Sequence, residues 1–263
     1  MRWFGLLLLL AACDCDSIDA TDATDEPDRD GGADAATPDL GTDDAGVDAG
    51  PRDFGPGGGD RCGSLTATVR DFRSAHADME APSGDDRGLV EEDLGPDRKP
   101  VYAPDGPTLT VSGQTTFDEW YRDVDGTNLP FTIELPLTEE SAGVYVFDDS
   151  EFFPLDDMGF GNEDNPHNFH FTTEIHATFR YRGGETFTFR GDDDVFVFVN
   201  GKQVIDLGGI HAAEMASVDF DAEAERLGIT VGNTYSLDVF HAERHVVQSN
   251  FRVETSIDCF ILE

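Results

Sequence analysis

The sequence predicts an all-β protein, an antiparallel β-sandwich with long loops and one short helix. Three observations carry that expectation. Short segments alternate apolar and polar residues with the period of two that a half-buried strand requires. Turn signals separate them, the strongest being Asn200-Gly201 between two apolar runs. The chain also holds 20 phenylalanines, large side chains that suit a β-rich core.

In chain order, "SLTATVRDF" alternates and reads as the first strand. A loop-rich stretch follows through "APSGDDRGLVEEDLGPDRKP". "TTFDEWYRDV" reads as the short helix, with Thr116 and Glu119 at capping-box spacing. "PFTIELPL" and "GVYVFDD" read as strands. In "FHFTTEIHATFRY", Phe169, Phe171, Ile175, Ala177, Phe179 and Tyr181 share one face. His170, Thr172, Glu174, His176 and Arg180 share the other, which predicts a long strand with one wet side. Gly183-Gly184 then predicts a hairpin into "ETFTF". "VFVFV" is apolar on both faces and so is expected to be central, followed by the Asn200-Gly201 turn into "KQVIDL". "TYSLDVFHAERH" and "SNFRVETSI" complete the set. No repeat of fixed period is visible.

The N-terminal residues read differently. Arg2, the apolar run Trp3 to Leu10 and the small residues after it form a signal peptide over residues 1–12. Leu10-Ala11-Ala12-Cys13 resembles a bacterial lipobox, in which Cys13 is lipidated and anchors the chain to a membrane; the alternative is an ordinary secretory signal. The expected location is the bacterial cell envelope. Residues 13–61 form an acidic linker. From Asp14 to Asp60 there are 15 acidic residues, opposed by Arg29 and Arg52. With so few large apolar residues, this stretch is expected to stay disordered and extended. Residues 62–263 are then one folded domain. Cys62 and Cys259 lie just inside its ends, where a disulfide would clamp the terminal strands; two free thiols are the alternative, and Cys15 is left over.

Across 263 residues, 55 acidic side chains face 17 basic ones, a net charge of −38. Nucleic acid is excluded as a partner, because phosphate binding needs a basic footprint. A hard cation such as calcium is favoured. The three consecutive acids Asp192, Asp193 and Asp194 focus that expectation, since like charges between two strand-like runs need something positive beside them. Converging carboxylates and carbonyls suit calcium; the alternative is a solvated acidic corner. Gly191 before them reads as freedom for the backbone to turn. His241, Glu243 and His245 fall two residues apart and form a second candidate set, for zinc or for local pairing with Arg244 or Asp238.

The run "FTFRGDDDVFVFVNGKQVIDLGGIH" resembles the hallmark of the fibro-slime domain, a family similar to the lectin-like PA-fourteen domain. "TVRDFRSAHADME", "FDEWYRDVDGTN", "FFPLDDMGFG", "HNFHFTTEIHATFRY" and "LDVFHAERHVVQSNFR" match in order, so the resemblance covers nearly all of residues 66–256. It implies a β-sandwich in which two adjacent aspartates, often joined by a cis peptide, hold calcium that in turn binds glycan hydroxyls. Here the pair would come from Asp192–Asp194. Asn250 in "QSNF" is the candidate for the further loop residue, and His211 for one approaching the aspartates. The implied function is adhesion or recognition through a carbohydrate or extracellular-matrix ligand; the alternative is a structural surface protein in which calcium only rigidifies the fold. No GxSxG elbow, phosphate loop or dinucleotide fingerprint is present, so an enzyme is not expected. A hydrolase is the remaining third reading.

Overall fold

The computed structural model describes residues 63–261. The signal peptide, Cys13, Cys15, the acidic linker and Cys62 lie outside the described residues. Strands and helices follow in chain order as β1 (Ser64–Phe72), β2 (Gly84–Asp85), α1 (Gln114–Phe117), β3 (Asn128–Pro136), β4 (Thr138–Ser141), β5 (Val144–Asp149) and β6 (Phe171–Arg180). Then come β7 (Thr186–Gly191), β8 (Asp194–Val199), β9 (Lys202–Leu207), β10 (Gly209–Ile210), β11 (Glu214–Asp219) and α2 (Phe220–Leu227). β12 (Thr234–Glu243), β13 (Phe251–Thr255) and β14 (Phe260–Ile261) finish the set. The protein is mostly β, with antiparallel sheets packed as a sandwich.

One sheet runs β3-β1-β6-β12-β8-β9, with β14 also paired to β6; a second runs β11-β7-β13-β5-β4, and β10 pairs with β2 in a small third. Between the first two lies the main core. Val69, Ile175, Val197 and Val239 from the first sheet meet Phe187, Phe189, Phe251 and Val253 from the second. β8 is buried at every position, because a second core covers the outer face of its sheet. There Phe196, Phe198, Phe240 and Ala242 pack under Leu89, Val90, Tyr102, Val111, Phe117, Trp120 and Tyr121. The loop-rich stretch between β1 and β3 is thus a third layer. That explains the continuous apolar run "VFVFV", since a strand covered on both faces need not alternate.

The third layer also overturns one expectation. His170, Thr172 and Glu174 of the face expected to be wet are buried, because the 73–127 stretch lies over them. Gly183-Gly184 does not close a hairpin within one sheet. It carries the chain from β6 in the larger sheet to β7 in the smaller one. Asn200-Gly201 does close a hairpin: both residues have positive φ, 51° and 75°, and Val199 pairs with Lys202.

The expected capping box is absent as well. α1 starts at Gln114 with Gly113 as its cap and no side-chain capping bond, and Thr116 lies inside it. The Thr116 hydroxyl donates to the Gly113 carbonyl instead. α2 was not expected from the sequence. Its signals are nonetheless present: the Asp219 side chain accepts from the Asp221 and Ala222 amides, and Gly228 ends the helix in the left-handed region. Cys259 is disulfide-bonded, and its expected partner Cys62 lies outside the described residues.

Candidate functional site

The aspartates sit where β7 crosses into β8. Gly191 is required there by close approach rather than by turning: a Cβ on it would lie 2.4 Å from the Asn250 carbonyl oxygen. The peptide between Asp192 and Asp193 is cis. All three side chains are buried, and each has its own hydrogen-bond partners.

Asp194 is the structural member. Its Oδ2 accepts Arg244 Nε at 2.6 Å and its Oδ1 accepts the Gly209 amide at 2.7 Å. Arg244 is itself wholly buried. It donates to the carbonyls of Thr110 (2.7 Å) and Asp78 (3.1 Å) and stacks 4.6 Å from the Trp120 ring. Trp120 in turn donates to Asp78 Oδ2 at 3.0 Å. A planar, five-donor guanidinium suits this position, because its fixed fork reaches acceptors on opposite sides and its flat face stacks on Trp120, which a compact ammonium cannot do.

Asp192 is held from the β13 side. The backbone amide of Asn250 donates to Oδ1 at 2.6 Å and its side-chain amide to Oδ2 at 2.8 Å. Burial nevertheless pushes the Asp192 carboxyl up. Asp193 accepts the Arg244 backbone amide at 3.1 Å. Burial first, then the neighbouring Asp194 charge, push it up to about 8. Glu243, the last residue of β12, is buried beside them and pushed well above the usual range by burial and by Asp193 and Asp192. The Ser249 hydroxyl beside it offsets this only in part. Four acids thus share one buried neighbourhood with the Arg244 guanidinium, which is bonded to Asp194. The cluster is short of positive charge.

Asp192 and Asp193 line a pocket of about 200 Å³. Ser83, His245 and Gln248 contribute polar groups to it, while Ile210, Ala212 and Val247 form an apolar wall. His211, singled out from sequence, lines the same pocket, and its ring nitrogens lie 3.0 Å from the Ala212 and 3.2 Å from the Leu207 carbonyl oxygens. The second candidate set separates. His241 is buried and held near a pKa of about 4 by that burial; its Nε2 lies 2.7 Å from the Asp192 carbonyl oxygen. His245 instead reaches the pocket, 3.6 Å from Glu80. Among the described residues no three histidine, cysteine, aspartate or glutamate side chains gather as metal ligands. A zinc site at His241, Glu243 and His245 is therefore not formed.

From the sequence, Arg244 enters only as a local partner for His241, Glu243 and His245; its neutralisation of Asp194 emerges from the fold. Arg244 stands between Glu243 and His245 in the sequence, so no local pattern marks it as the partner of Asp194.

This is a β-sandwich carrying a PA14 domain: residues 156–258 match that family model, described as "PA14 domain". The chain is homologous to the psi proteins of Dictyostelium discoideum. It is 40% identical to Protein psiQ over 195 residues, 68% of this chain and 19% of the relative, and 40% identical to Protein psiD over 211 residues, 74% of this chain and 41% of the relative. It therefore spans well under half the length of these relatives. Among solved structures, a "PA14 sugar-binding domain from RTX adhesin" covers 74% of this chain and 90% of its own, at 9% identity and a TM-score of 0.36. The PA14 domain of an antifreeze protein covers 81% and 93%, at 13% identity and a TM-score of 0.31.

Proposed function

We propose that this protein is an exported, membrane-tethered recognition protein of the fibro-slime type, and that its PA14 domain binds calcium through Asp192 and Asp193 and, through the ion, a carbohydrate. The observation that carries the reading is the pair itself: two adjacent buried carboxylates line an open pocket, while Arg244 is committed to Asp194. A hard cation suits such a set, because buried anions without a partner are costly and calcium prefers oxygen ligands. Two carboxylates cannot complete six to eight ligands. Asn250 Oδ1 is used in neither of that residue's bonds to Asp192, so Asn250 is the natural third group. Calcium would supply a Lewis-acidic centre for vicinal hydroxyls. The chain's own residues orient the carboxylates through Asn250 and Arg244, and line the pocket with Ser83, Gln248, His211 and His245. Residues 1–13 support export and a lipid anchor at Cys13 in a bacterial envelope.

A glycan array probed with the full chain tests this reading. Binding that appears with calcium, disappears with a chelator and is lost in Asp193→Ala supports it. A protein that calcium stabilises but that binds no glycan favours the structural alternative, in which the ion only rigidifies the rim.

A further inference from the structure

A second pocket lies at the other end of β8. The six residues of that strand separate it from the aspartate loop by roughly 20 Å, at about 3.3 Å per residue. Its volume is about 410 Å³, within the range of small-molecule sites. The floor is the outer face of the large sheet. Thr234, Ser236 and Asp238 alternate onto that face of β12, and Thr178 of β6 pairs opposite Ser236. Leu94, Gly95 and Arg98 form one wall, and the Asn200-Gly201 turn another. The Leu94 amide donates to the Gly201 carbonyl at 2.9 Å and ties the two walls together.

Asp238 is the informative residue. It is 0% exposed. Its Oδ1 takes both available donors, Arg98 Nη2 at 2.5 Å and His176 Nδ1 at 2.6 Å. Its Oδ2 is buried with no partner at all. A buried acceptor left unmade costs free energy that a bound donor would recover. The neighbours decide what donor fits. A cation would meet Arg98 at the same carboxylate, and an anion would meet Asp238 in a chain of net charge −38. A neutral hydroxyl meets neither objection, and Ser236, Thr234 and Thr178 offer hydroxyl partners beside it.

We propose that this cleft is a second, calcium-independent site for a neutral polyhydroxylated ligand, a saccharide unit whose hydroxyl donates to Asp238 Oδ2.

The test uses the full chain in chelator, with the methyl α-glycosides of glucose, galactose and mannose as probes. Binding is read by saturation-transfer NMR, with backbone amide shifts to locate the site. The expected result is saturation transfer to at least one glycoside without calcium, with shifts at Ser236 and Thr178. Thr234→Trp, an exposed change that fills the mouth, should reduce it at least fivefold, and Asp238→Asn should weaken it while amide dispersion shows a folded protein. Saturation transfer that requires calcium, or that Thr234→Trp leaves intact, overturns the proposal. So does no saturation transfer from any probe. Failure of the calcium-dependent reading is separate: it leaves the chelator-resistant signal in place.

Discussion

Two groups of buried carboxylates lie on the same large sheet, and they are handled in opposite ways. On the outer face, burial would raise Glu174, yet hydrogen bonds from His176 and Lys99 and the charge of Arg70 outweigh it and hold the carboxyl at about 2. Arg70 Nη1 donates at 2.6 Å, and Lys99 and His176 share the other oxygen. At the rim, Asp193 is subject to the same burial but has only the Arg244 charge, shared with Asp194, and rises to about 8. The residue types are alike; the supply of cations differs. Carboxylates that come with their own cations hold the third layer onto the sheet. Those that lack them are the ones to which the proposed function assigns a cation from outside.

Substitutions can break this contrast, the largest effect first. Arg244→Met removes the cation bonded to Asp194 and leaves that carboxylate buried without its ion pair. It should lower stability by about 4 kcal/mol, in the range for breaking a buried ion pair, as read by urea unfolding. Glu174→Gln strips the outer network of its central anion and leaves Arg70 with Asp123 as its remaining carboxylate partner; a loss of about 3 kcal/mol is expected. Equal, small losses at both positions would show that neither cluster is ordered by its charges.

Asp193→Asn should act in the reverse sense. A carboxyl whose folded pKa lies above its unfolded value contributes stability that is complete below pH 4 and is lost as pH rises through about 8. Without calcium, the amide should therefore stabilise the protein at pH 8 by about 1–3 kcal/mol, the scale of an uncompensated buried polar group, and leave stability at pH 4 nearly unchanged. The smallest effect belongs to His176. Burial lowers its pKa, but Asp238 and Glu174 outweigh that and raise it. Its contribution is then full below the unfolded value of about 6.5 and fades as pH rises through the folded one. His176→Gln should cost about 1 kcal/mol at pH 6 and flatten the stability profile above it, measured by chemical denaturation across pH 5–9.

The strands were legible because local alternation reports them: "SLTATVRDF" is β1 from first residue to last, and Asn-Gly carries its own turn. What alternation could not report was anything set by long-range packing. The burial of His170, Thr172 and Glu174 depends on a loop some 50 to 100 residues earlier in the chain, so one face was read as wet. Gly183-Gly184 marks a turn but not which sheet receives the next strand. At the site, the run of aspartates was visible as an electrostatic anomaly. Which of them is neutralised was not, because Arg244 lies fifty residues away from Asp194 in sequence. Gly191 was likewise read as a flexible turn, when the fold needs it small against Asn250.

On the proposed function, Asp192 and Asp193 take a cation that Asp194, bonded to Arg244, does not need. Thermal unfolding of the full chain, with and without calcium, for wild type and Asp193→Ala, tests it most directly. Calcium at a hundredfold excess over its dissociation constant should stabilise the wild type by about 2.7 kcal/mol and leave Asp193→Ala unmoved. No shift in the wild type, or an equal shift in both proteins, would contradict it.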